Sequence, residues 1–177
     1  MRFSQLDRII ALEKGKSICG IKGLSLSEEY LKDHFPRFPV MPGVLMLESM
    51  FQASMWLIRA THDFKFSMVV LRETKSLKFQ GFVQPGDAMH VDAEIKKVDG
   101  SLTSLKVSGN VDGKLCTSGR LVIDTFNLAD RESTVDPAID DYMNLRFRKE
   151  FRRLCNHLDP MDLSDVQAAP FAVTATN

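Results

Sequence analysis

The stretch DHFPRFPVMPGVLMLESMFQ, residues 33–52, decides how the rest of this chain folds. Its first half contains three prolines, which remove backbone donors and forbid a regular helix, so we expect a loop over residues 31–42. Its second half has no proline or glycine after Gly43, and the fixed φ of Pro42 suits the start of a helix. Apolar side chains cover almost the whole circumference of that second half. The sequence therefore predicts a buried helix over residues 43–60.

The segments around this helix have the patterns of strands. In the clearest of them, Met89 and Val91 alternate with His90 and Asp92. Two Asp-Gly pairs, at residues 99–100 and 112–113, predict tight hairpin turns. The predicted strands are residues 16–24, 67–71, 76–83, 88–98, 101–111 and 114–124, and a short helix is predicted at residues 5–10. The simplest packing wraps an antiparallel sheet around the buried helix, which is an α+β arrangement.

The chain divides at about residue 127. Residues 1–127 contain the predicted sheet and buried helix, whereas residues 128–136 are polar and read as a linker. A second helix is predicted over residues 139–158, with a basic surface and four apolar residues on one face: Phe147, Phe151, Leu154 and Leu158. Residues 167–177 are expected to be a loose tail. Three uses of the second helix stay open: packing on the protein's own surface, attracting an acidic carrier protein, or touching a membrane surface.

The composition narrows the class of protein. The 177 residues include 23 basic and 23 acidic side chains, and this balance does not favour a nucleic-acid-binding protein. The three cysteines are far apart and show no Cys-x-x-Cys or Cys/His spacing, so we expect free thiols, a reducing compartment and no metal site. The first residues lack the apolar core of a signal peptide, and no uncharged apolar run reaches about 18 residues. The sequence therefore predicts a cytoplasmic protein without a transmembrane segment.

Glu48 is the anomaly of the buried helix, because an isolated carboxylate is costly to bury. Three interpretations fit it. In the first, Glu48 and Gln52 form a narrow polar strip that reaches solvent. In the second, Glu48 forms a structural ion pair with an arginine. In the third, Glu48 is a catalytic carboxyl that burial keeps protonated near neutrality.

His34 and Gly43 add possible chemistry to that carboxyl. The first amides of a helix lack internal partners and carry partial positive charge, and Gly43 has no side chain to block a ligand. A thioester carbonyl lying against the Gly43 N–H would be polarised, so that charge developing on its oxygen would be stabilised. His34, on the loop that leads into the helix, could remove the neighbouring proton as a general base. A protonated Glu48 could assist a departing hydroxyl.

The motif HFPxxPVMPGVLMLE resembles the signature of the β-hydroxyacyl-acyl carrier protein dehydratases of the FabZ type, with the FabA type close by. The steps of nine residues from His34 to Gly43 and of fourteen from His34 to Glu48 match that family. LDRIIALEKGKSICGIKGLS and QPGDAMHVDAEIKKVDG are similar to other segments of the family, so that the resemblance covers residues 6–123.

This resemblance implies a hotdog fold, in which a curved antiparallel sheet wraps a long central helix. It also implies a homodimer, in which His34 of one subunit faces Glu48 of the other, and further assembly as a trimer of dimers. The implied enzyme is a lyase that dehydrates 3-hydroxyacyl-acyl carrier protein to the trans-2-enoyl product in fatty-acid or related lipid biosynthesis. Its substrate arrives on the phosphopantetheine of acyl carrier protein, and it needs no metal or redox cofactor.

The resemblance also assigns roles and raises alternatives. His34 and Glu48 become the catalytic pair, and Gly43 binds the thioester carbonyl. Gln52 is expected to orient Glu48, and Gln52 and Phe38 are predicted with Gly43 to bind substrate. The FabA type carries aspartate at the position of Glu48, so we expect dehydration without isomerisation. Arg37-Phe38 replaces a small, Gly-containing pair of the family pattern, and either Phe38 reshapes the substrate entrance or it packs on a neighbouring strand. The alternative functions are a catalytically weak acyl-binding subunit that partners another dehydratase, and a coenzyme A-linked hydratase or thioesterase.

Overall fold

The computed structural model describes residues 3–156 and 158 of the chain. It contains six strands and three helices in this order: β1 Arg8–Glu13, β2 Ser17–Gly23, α1 Gly43–Thr61, β3 Met68–Phe79, β4 Ala88–Asp99, β5 Leu102–Val111, β6 Lys114–Phe126, α2 Leu128–Arg131 and α3 Pro137–Leu154. A short 3-10 helix, Glu29–Lys32, precedes the loop that leads into α1.

The strands form one antiparallel sheet in the order β1-β2-β4-β5-β6-β3, and α1 contacts every strand from β2 to β6. The inward face of the sheet supplies buried residues such as Met89, Val91 and Leu121, which join the apolar core around α1. The predicted α+β hotdog fold, with the sheet wrapped around one helix, is confirmed.

The long central helix α1 begins where the sequence predicts it and runs one residue further. Pro42 is its N-cap, and most of its side chains from Met46 onward are buried. Met50, Ala53 and Leu57 are completely inaccessible to solvent. The first turn differs from the rest, because Val44 is 66% exposed. An apolar circumference therefore does produce a buried helix, except at its N-terminal end.

Two predicted elements at the edges of the sheet are wrong. Residues 5–10 do not form a helix but lead into β1, where the fully buried Ile9 pairs with Gly20 across the ladder to β2. The strands predicted at residues 67–71 and 76–83 are one strand, β3. This strand continues past an irregularity at Ser76, whose φ of 51° shifts its register against β6. The Asp-Gly hairpin turns are present, with the positive φ that such turns require at Gly100 and Gly113.

The C-terminal part of the described chain packs on the protein's own surface. Residues 128–136 were expected to lack structure, but they contain α2, whose first amides donate to the carboxylate of Asp140 on α3. Phe147 and Phe151 of α3 lie against the indole of Trp56 on α1. Helix α3 ends at Leu154, earlier than expected, and the predicted loose tail lies outside the described residues. None of the helices in the described part of the chain is long and apolar enough to cross a membrane.

Candidate active site

The loop at residues 33–42 fixes the orientation of the His34 ring. The backbone N–H of His34 donates to the carbonyl of Tyr30, at the 3-10 helix, over 3.1 Å. Its Nδ1 lies 3.0 Å from the carbonyl oxygen of Val40. A carbonyl can only accept, so Nδ1 carries the hydrogen, and in the neutral ring Nε2 keeps a free lone pair. The half-buried ring is therefore held in the tautomer that a general base needs.

The residue after His34 has an uncommon backbone conformation. Phe35 has a φ of 52°, in the left-handed region that residues other than glycine rarely adopt. Its ring lies edge-on to the imidazole, with 4.6 Å between ring centroids. The loop thus holds an aromatic side chain against the candidate base at some cost in backbone strain, as is common at functional sites.

Gly43 offers a free amide at the start of α1. The amides of Leu45 and Met46 donate to the carbonyl of Pro42, whereas none of the hydrogen bonds between described residues uses the Gly43 N–H. The absence of a side chain matters here. A Cβ on Gly43 would lie 3.1 Å from Cε1 of Phe79, which is closer than ordinary van der Waals contact. The helix start thus combines a partial positive charge with room for a neighbouring group.

Glu48 is held by Gln52, one helical turn further on. The Nε2 of Gln52 donates to Oε1 of Glu48 over 2.8 Å, which confirms the expected orienting contact. The same amide group also donates to the carbonyl of Phe3 and accepts from the N–H of Gln5. Gln52 is 1% exposed, and both of its polar atoms are already used. In this geometry Gln52 positions Glu48, and its binding of substrate stays a prediction.

This geometry bears on the three interpretations of Glu48. A strip in which both side chains reach solvent is absent, because Gln52 is buried, although the half-buried carboxyl of Glu48 still reaches it. An ion pair with an arginine is also absent, since none of the ion pairs between described residues includes Glu48. The carboxyl is half-buried, and its partner there is a neutral amide. This geometry is compatible with a polar pair at the surface and with the catalytic interpretation, and the catalytic role stays a proposal.

Within one chain, His34 and Glu48 are held separately. The described hydrogen bonds join His34 to Val40 and Glu48 to Gln52, and none joins the two candidate catalytic side chains to each other. That His34 of one subunit faces Glu48 of another therefore stays a prediction.

Four exposed phenylalanines surround the start of α1, and we call them the aromatic collar: Phe35, Phe38, Phe79 and Phe82. They are between 50% and 66% exposed. Phe38 meets Phe82 edge-on, with 5.6 Å between ring centroids, so it packs on the segment that follows β3 and not on a strand. The N–H of Met41 also donates to the carbonyl of Val83, which ties the His34 loop to that segment. Exposed apolar patches of this kind commonly mark binding surfaces.

Sequence reasoning missed two parts of this site. One is the Val40 carbonyl, because a backbone acceptor leaves no signal in the sequence. The other is the contact between Phe79 and Gly43, which are distant in sequence and meet only because β3 ends beside the start of α1. A strand ending in an aromatic residue just before a Pro-Gly-Asp turn was the available clue, but it also fits an ordinary core residue.

This site is identified by the functional groups that it contains and not by a cavity in the single chain. Cavities of about 380 and 400 Å³ lie on the outer face of the sheet and along α3, and neither is lined by His34, Gly43 or Glu48. We favour the start of α1 because it alone combines a free amide, an oriented imidazole and a positioned carboxyl among the described residues. In that part of the chain, no three His, Cys, Asp or Glu side chains are grouped so as to hold a metal ion.

Comparisons with known proteins agree on one family. The model of the FabA-like domain matches residues 1–125. The chain is 35% identical over 119 residues to the 3-hydroxyacyl-[acyl-carrier-protein] dehydratase FabZ of Ruminiclostridium cellulolyticum, covering 67% of this chain and 84% of that protein. It is 33% identical over 128 residues to the protein of the same name from Listeria monocytogenes, covering 72% of this chain and 87% of that protein.

Solved structures show a related fold at lower identity. The dehydratase heterocomplex ApeI:P from Xenorhabdus doucetiae matches with a TM-score of 0.59 and 17% identity, over 71% of this chain and 85% of that one. The acetyl-CoA-bound smu.793 from Streptococcus mutans matches with a TM-score of 0.56 and 13% identity, over 71% and 91%. At such identities these likenesses show the fold alone.

Proposed function

The chain belongs to the family of FabA-like and FabZ dehydratases, and from this premise we propose that it converts 3-hydroxyacyl-acyl carrier protein to trans-2-enoyl-acyl carrier protein. The reaction is a dehydration in fatty-acid biosynthesis, so the enzyme is a lyase. The relatives at 33–35% identity carry the same activity in their names. The observation in this chain that supports the assignment best is the tethered His34 ring. It lies on the loop that leads to the Gly43 amide, which has no partner among the described residues.

In the proposed mechanism each group has one task. The thioester carbonyl accepts a hydrogen bond from Gly43 N–H, which stabilises the negative charge that develops on its oxygen. Nε2 of His34 takes the C2 proton, and the electrons of that C–H bond form the C2–C3 double bond. The C3–O bond breaks, and the carboxyl of Glu48 protonates the departing hydroxyl so that it leaves as water. A proton then returns from His34 to Glu48 before the next turnover.

Gln52 and Val40 hold these groups without touching the reacting atoms. The amide of Gln52 directs one carboxyl oxygen of Glu48 and leaves the other free to face substrate. The Val40 carbonyl keeps the His34 proton on Nδ1. We assign Phe38 and the rest of the aromatic collar to the apolar surface that the acyl thioester meets, because these rings lie exposed beside His34 and Gly43.

We propose that the active site is completed by a second copy of the chain, with His34 of one copy facing Glu48 of the other. The edge position of β3 supports this arrangement, since one side of this strand pairs with β6 and the other has no partner strand among the described residues. This strand is twelve residues long and mostly exposed from Arg72 onward, so its unpaired edge is a surface suited to pairing. Assembly as a trimer of dimers and a cytoplasmic location belong to the same proposal.

The proposed reaction needs no metal or redox cofactor, because it moves only protons and a hydroxyl. The phosphopantetheine that carries the acyl chain is part of the substrate. Since position 48 is glutamate and not aspartate, we also propose that the enzyme does not isomerise the double bond. With a ten-carbon substrate, we expect trans-2 product only, and a substantial cis-3 fraction would contradict this assignment.

The decisive experiment compares three proteins on 3-hydroxyacyl-carrier protein substrates of several chain lengths. We expect the wild type to form the enoyl product, and His34→Ala and Glu48→Gln each to lower kcat by roughly 10²- to 10⁴-fold. His90→Ala, which removes an exposed strand histidine, is the matched control and should retain at least half of the activity. Full activity in both site variants would overturn the assigned roles, and hydrolysis of the thioester without dehydration would favour a thioesterase.

A further inference from the structure

Lys22 is a charged residue on the inward face of the sheet. It lies directly opposite Met89 on β4, which is completely inaccessible to solvent. Residues two apart on a strand point to the same face, so Lys22 shares its face with Gly20 and with Ile18 of the core. Lys22 is itself only 5% exposed. Lysine is almost never fully buried unless it is paired, so its position among core residues requires a specific explanation.

The amine of Lys22 is paired with the carboxylate of Glu28. Its Nζ donates to Oε1 of Glu28 over 2.7 Å, and the side chain of Glu28 is 28% exposed. Replacement of a buried ion pair by apolar side chains of similar volume often leaves stability unchanged or raises it. Stability alone therefore does not explain this pair. What the pair adds is a directed contact that ties Glu28 to β2.

Glu28 begins the short segment that leads to the candidate base. It is the N-cap of the 3-10 helix Glu29–Lys32, but its side chain makes no capping hydrogen bond to that helix. The carboxylate accepts from Lys22 instead. Within the helix, the carbonyl of Tyr30 accepts from the N–H of His34 over 3.1 Å. One helical turn therefore connects the ion pair to the backbone of His34.

The same 3-10 helix is also anchored in the core by Leu31, which is 4% exposed. Apolar contacts are non-directional, whereas a hydrogen bond fixes both a distance and a direction. A helix of four residues that is held by Leu31 alone could still rotate, and the Tyr30 carbonyl and His34 would move with it. A misplacement of about 1 Å at a reacting group can cost on the order of 10²-fold in rate. Loss of the Lys22 contact should therefore affect catalysis more than stability.

We propose that Lys22 is a positioning residue for catalysis, because through Glu28 and the 3-10 helix it holds the loop that carries His34. This inference rests on the proposed function, in which His34 is the general base. Lys22 acts through Glu28 and not on the reacting atoms. Without this contact the loop shifts, and the hydrogen bond between Nδ1 of His34 and the Val40 carbonyl weakens. The ring then no longer keeps its proton on Nδ1 alone.

Lys22→Met tests the proposal, because methionine keeps a long side chain in the core and removes the charge. We expect kcat on 3-hydroxyacyl-carrier protein to fall about tenfold, with KM within about twofold of the wild type and the protein fully folded at the assay temperature. Nitrogen-15 NMR of the neutral His34 ring should show the proton on Nδ1 in the wild type and shared between both nitrogens in Lys22→Met. Lys22→Arg can still donate to Glu28 and should recover most of the activity.

Lys16→Met is the matched control. Lys16 pairs with Glu13 over 2.9 Å, but both of these side chains are more than half exposed. This variant should keep the wild-type kcat and the wild-type His34 tautomer. Glu28→Gln should lower kcat as Lys22→Met does, and the double variant should lose no more than Lys22→Met alone, since both changes weaken one contact.

An unchanged kcat or an unchanged His34 tautomer in Lys22→Met would overturn the proposal, and so would additive losses in the double variant. If Lys22→Met does not fold, Glu28→Gln decides by the same two measurements. A wild type that is inactive on the carrier-borne substrate would refute the proposed function instead. The NMR measurement needs no substrate, so an unchanged tautomer would then still show that Lys22 does not hold the His34 loop.

Discussion

The two ends of helix α1 have opposite environments. At its N-terminal end, Val44 is exposed and the aromatic collar lies open to solvent, and within the described part of the chain nothing accepts from the Gly43 amide. At its C-terminal end, Trp56 and Arg59 are almost fully buried beneath α3. One helix thus has an open end suited to chemistry and a closed end suited to stability. This separation predicts that substitutions at the two ends will affect different measurements.

The closed end even accommodates a buried cation. The guanidinium of Arg59 donates to the carbonyls of Phe66 and Ser67 over 2.7 and 2.9 Å, and it lies 3.7 Å from the ring centroid of Phe147. Burial lowers the pKa of Arg59 to about 10, since removal from water disfavours its charged form. The carbonyls and the ring compensate for part of that cost. Helix α3 therefore supplies contacts that α1 and the sheet alone would lack.

Phe151→Ala should produce the largest effect, and it tests the difference between the two ends of α1 most directly. Phe151 is fully buried between Trp56 and Phe64, so we expect its removal to lower the free energy of unfolding by about 3–5 kcal/mol. The measurement is urea denaturation followed by circular dichroism. Phe38→Ala, at the open end, is the control and should cost about 1 kcal/mol or less. Similar losses for both variants would mean that the two ends do not differ as described.

Gln52→Leu should have an intermediate effect, because Gln52 both stabilises the fold and positions the carboxyl of Glu48. The substitution leaves the carbonyl of Phe3, the amide of Gln5 and the carboxyl of Glu48 without their partner. We expect a loss of about 1–3 kcal/mol in the free energy of unfolding. We also expect kcat to fall about tenfold or more with little change in KM, since a freed Glu48 is no longer oriented.

Ser54→Ala is the matched control for Gln52→Leu. Ser54 is another buried polar residue of α1, but its hydroxyl only donates to the carbonyl of Met50 within the helix. We expect a small change in stability and an unchanged kcat. A Gln52→Leu enzyme with wild-type kcat would show that Glu48 does not need this amide to act.

The fold was largely predictable because its main signals are local. A proline followed by a long apolar run predicts α1, and strict alternation with two Asp-Gly turns predicts β4, β5 and β6. The errors lie where distant contacts override local pattern. Residues 5–10 were predicted to be helical, yet Ile9 is buried by pairing with β2. The gap predicted within β3 is absent, because pairing with β6 continues through an irregular register at Ser76.

The candidate site was predictable where it follows from spacing along the chain. One helical turn separates Glu48 from Gln52, so their hydrogen bond could be expected. The contact between Phe79 and Gly43 could not be predicted, because it depends on how the end of an edge strand packs against the start of a helix.

The smallest effect that we expect is a pH dependence of the docking of α3 on the closed, C-terminal end of α1. Burial alone would raise the pKa of Asp140, but hydrogen bonds from Ser67, Ala129 and Leu128 outweigh it and hold the pKa below the ordinary 3.8. The hydrogen bond from Arg148 likewise lowers the pKa of Asp63, which helps to fasten α3. Both carboxylates stabilise the docked helix above about pH 4. That contribution is lost as the pH falls through their lowered pKa values.

Trp56 gives a direct readout of this loss, because it is the one tryptophan in the sequence and lies against α3. Its fluorescence should shift to longer wavelength below about pH 4, when α3 loosens and water reaches the indole. Asp140→Asn should weaken docking by about 1 kcal/mol at neutral pH, since one amide of α2 then loses its acceptor. It should also reduce the acid-induced shift. If the wild type and Asp140→Asn shift identically, acid loosens this end through other groups, and Asp140 is not what keeps it closed.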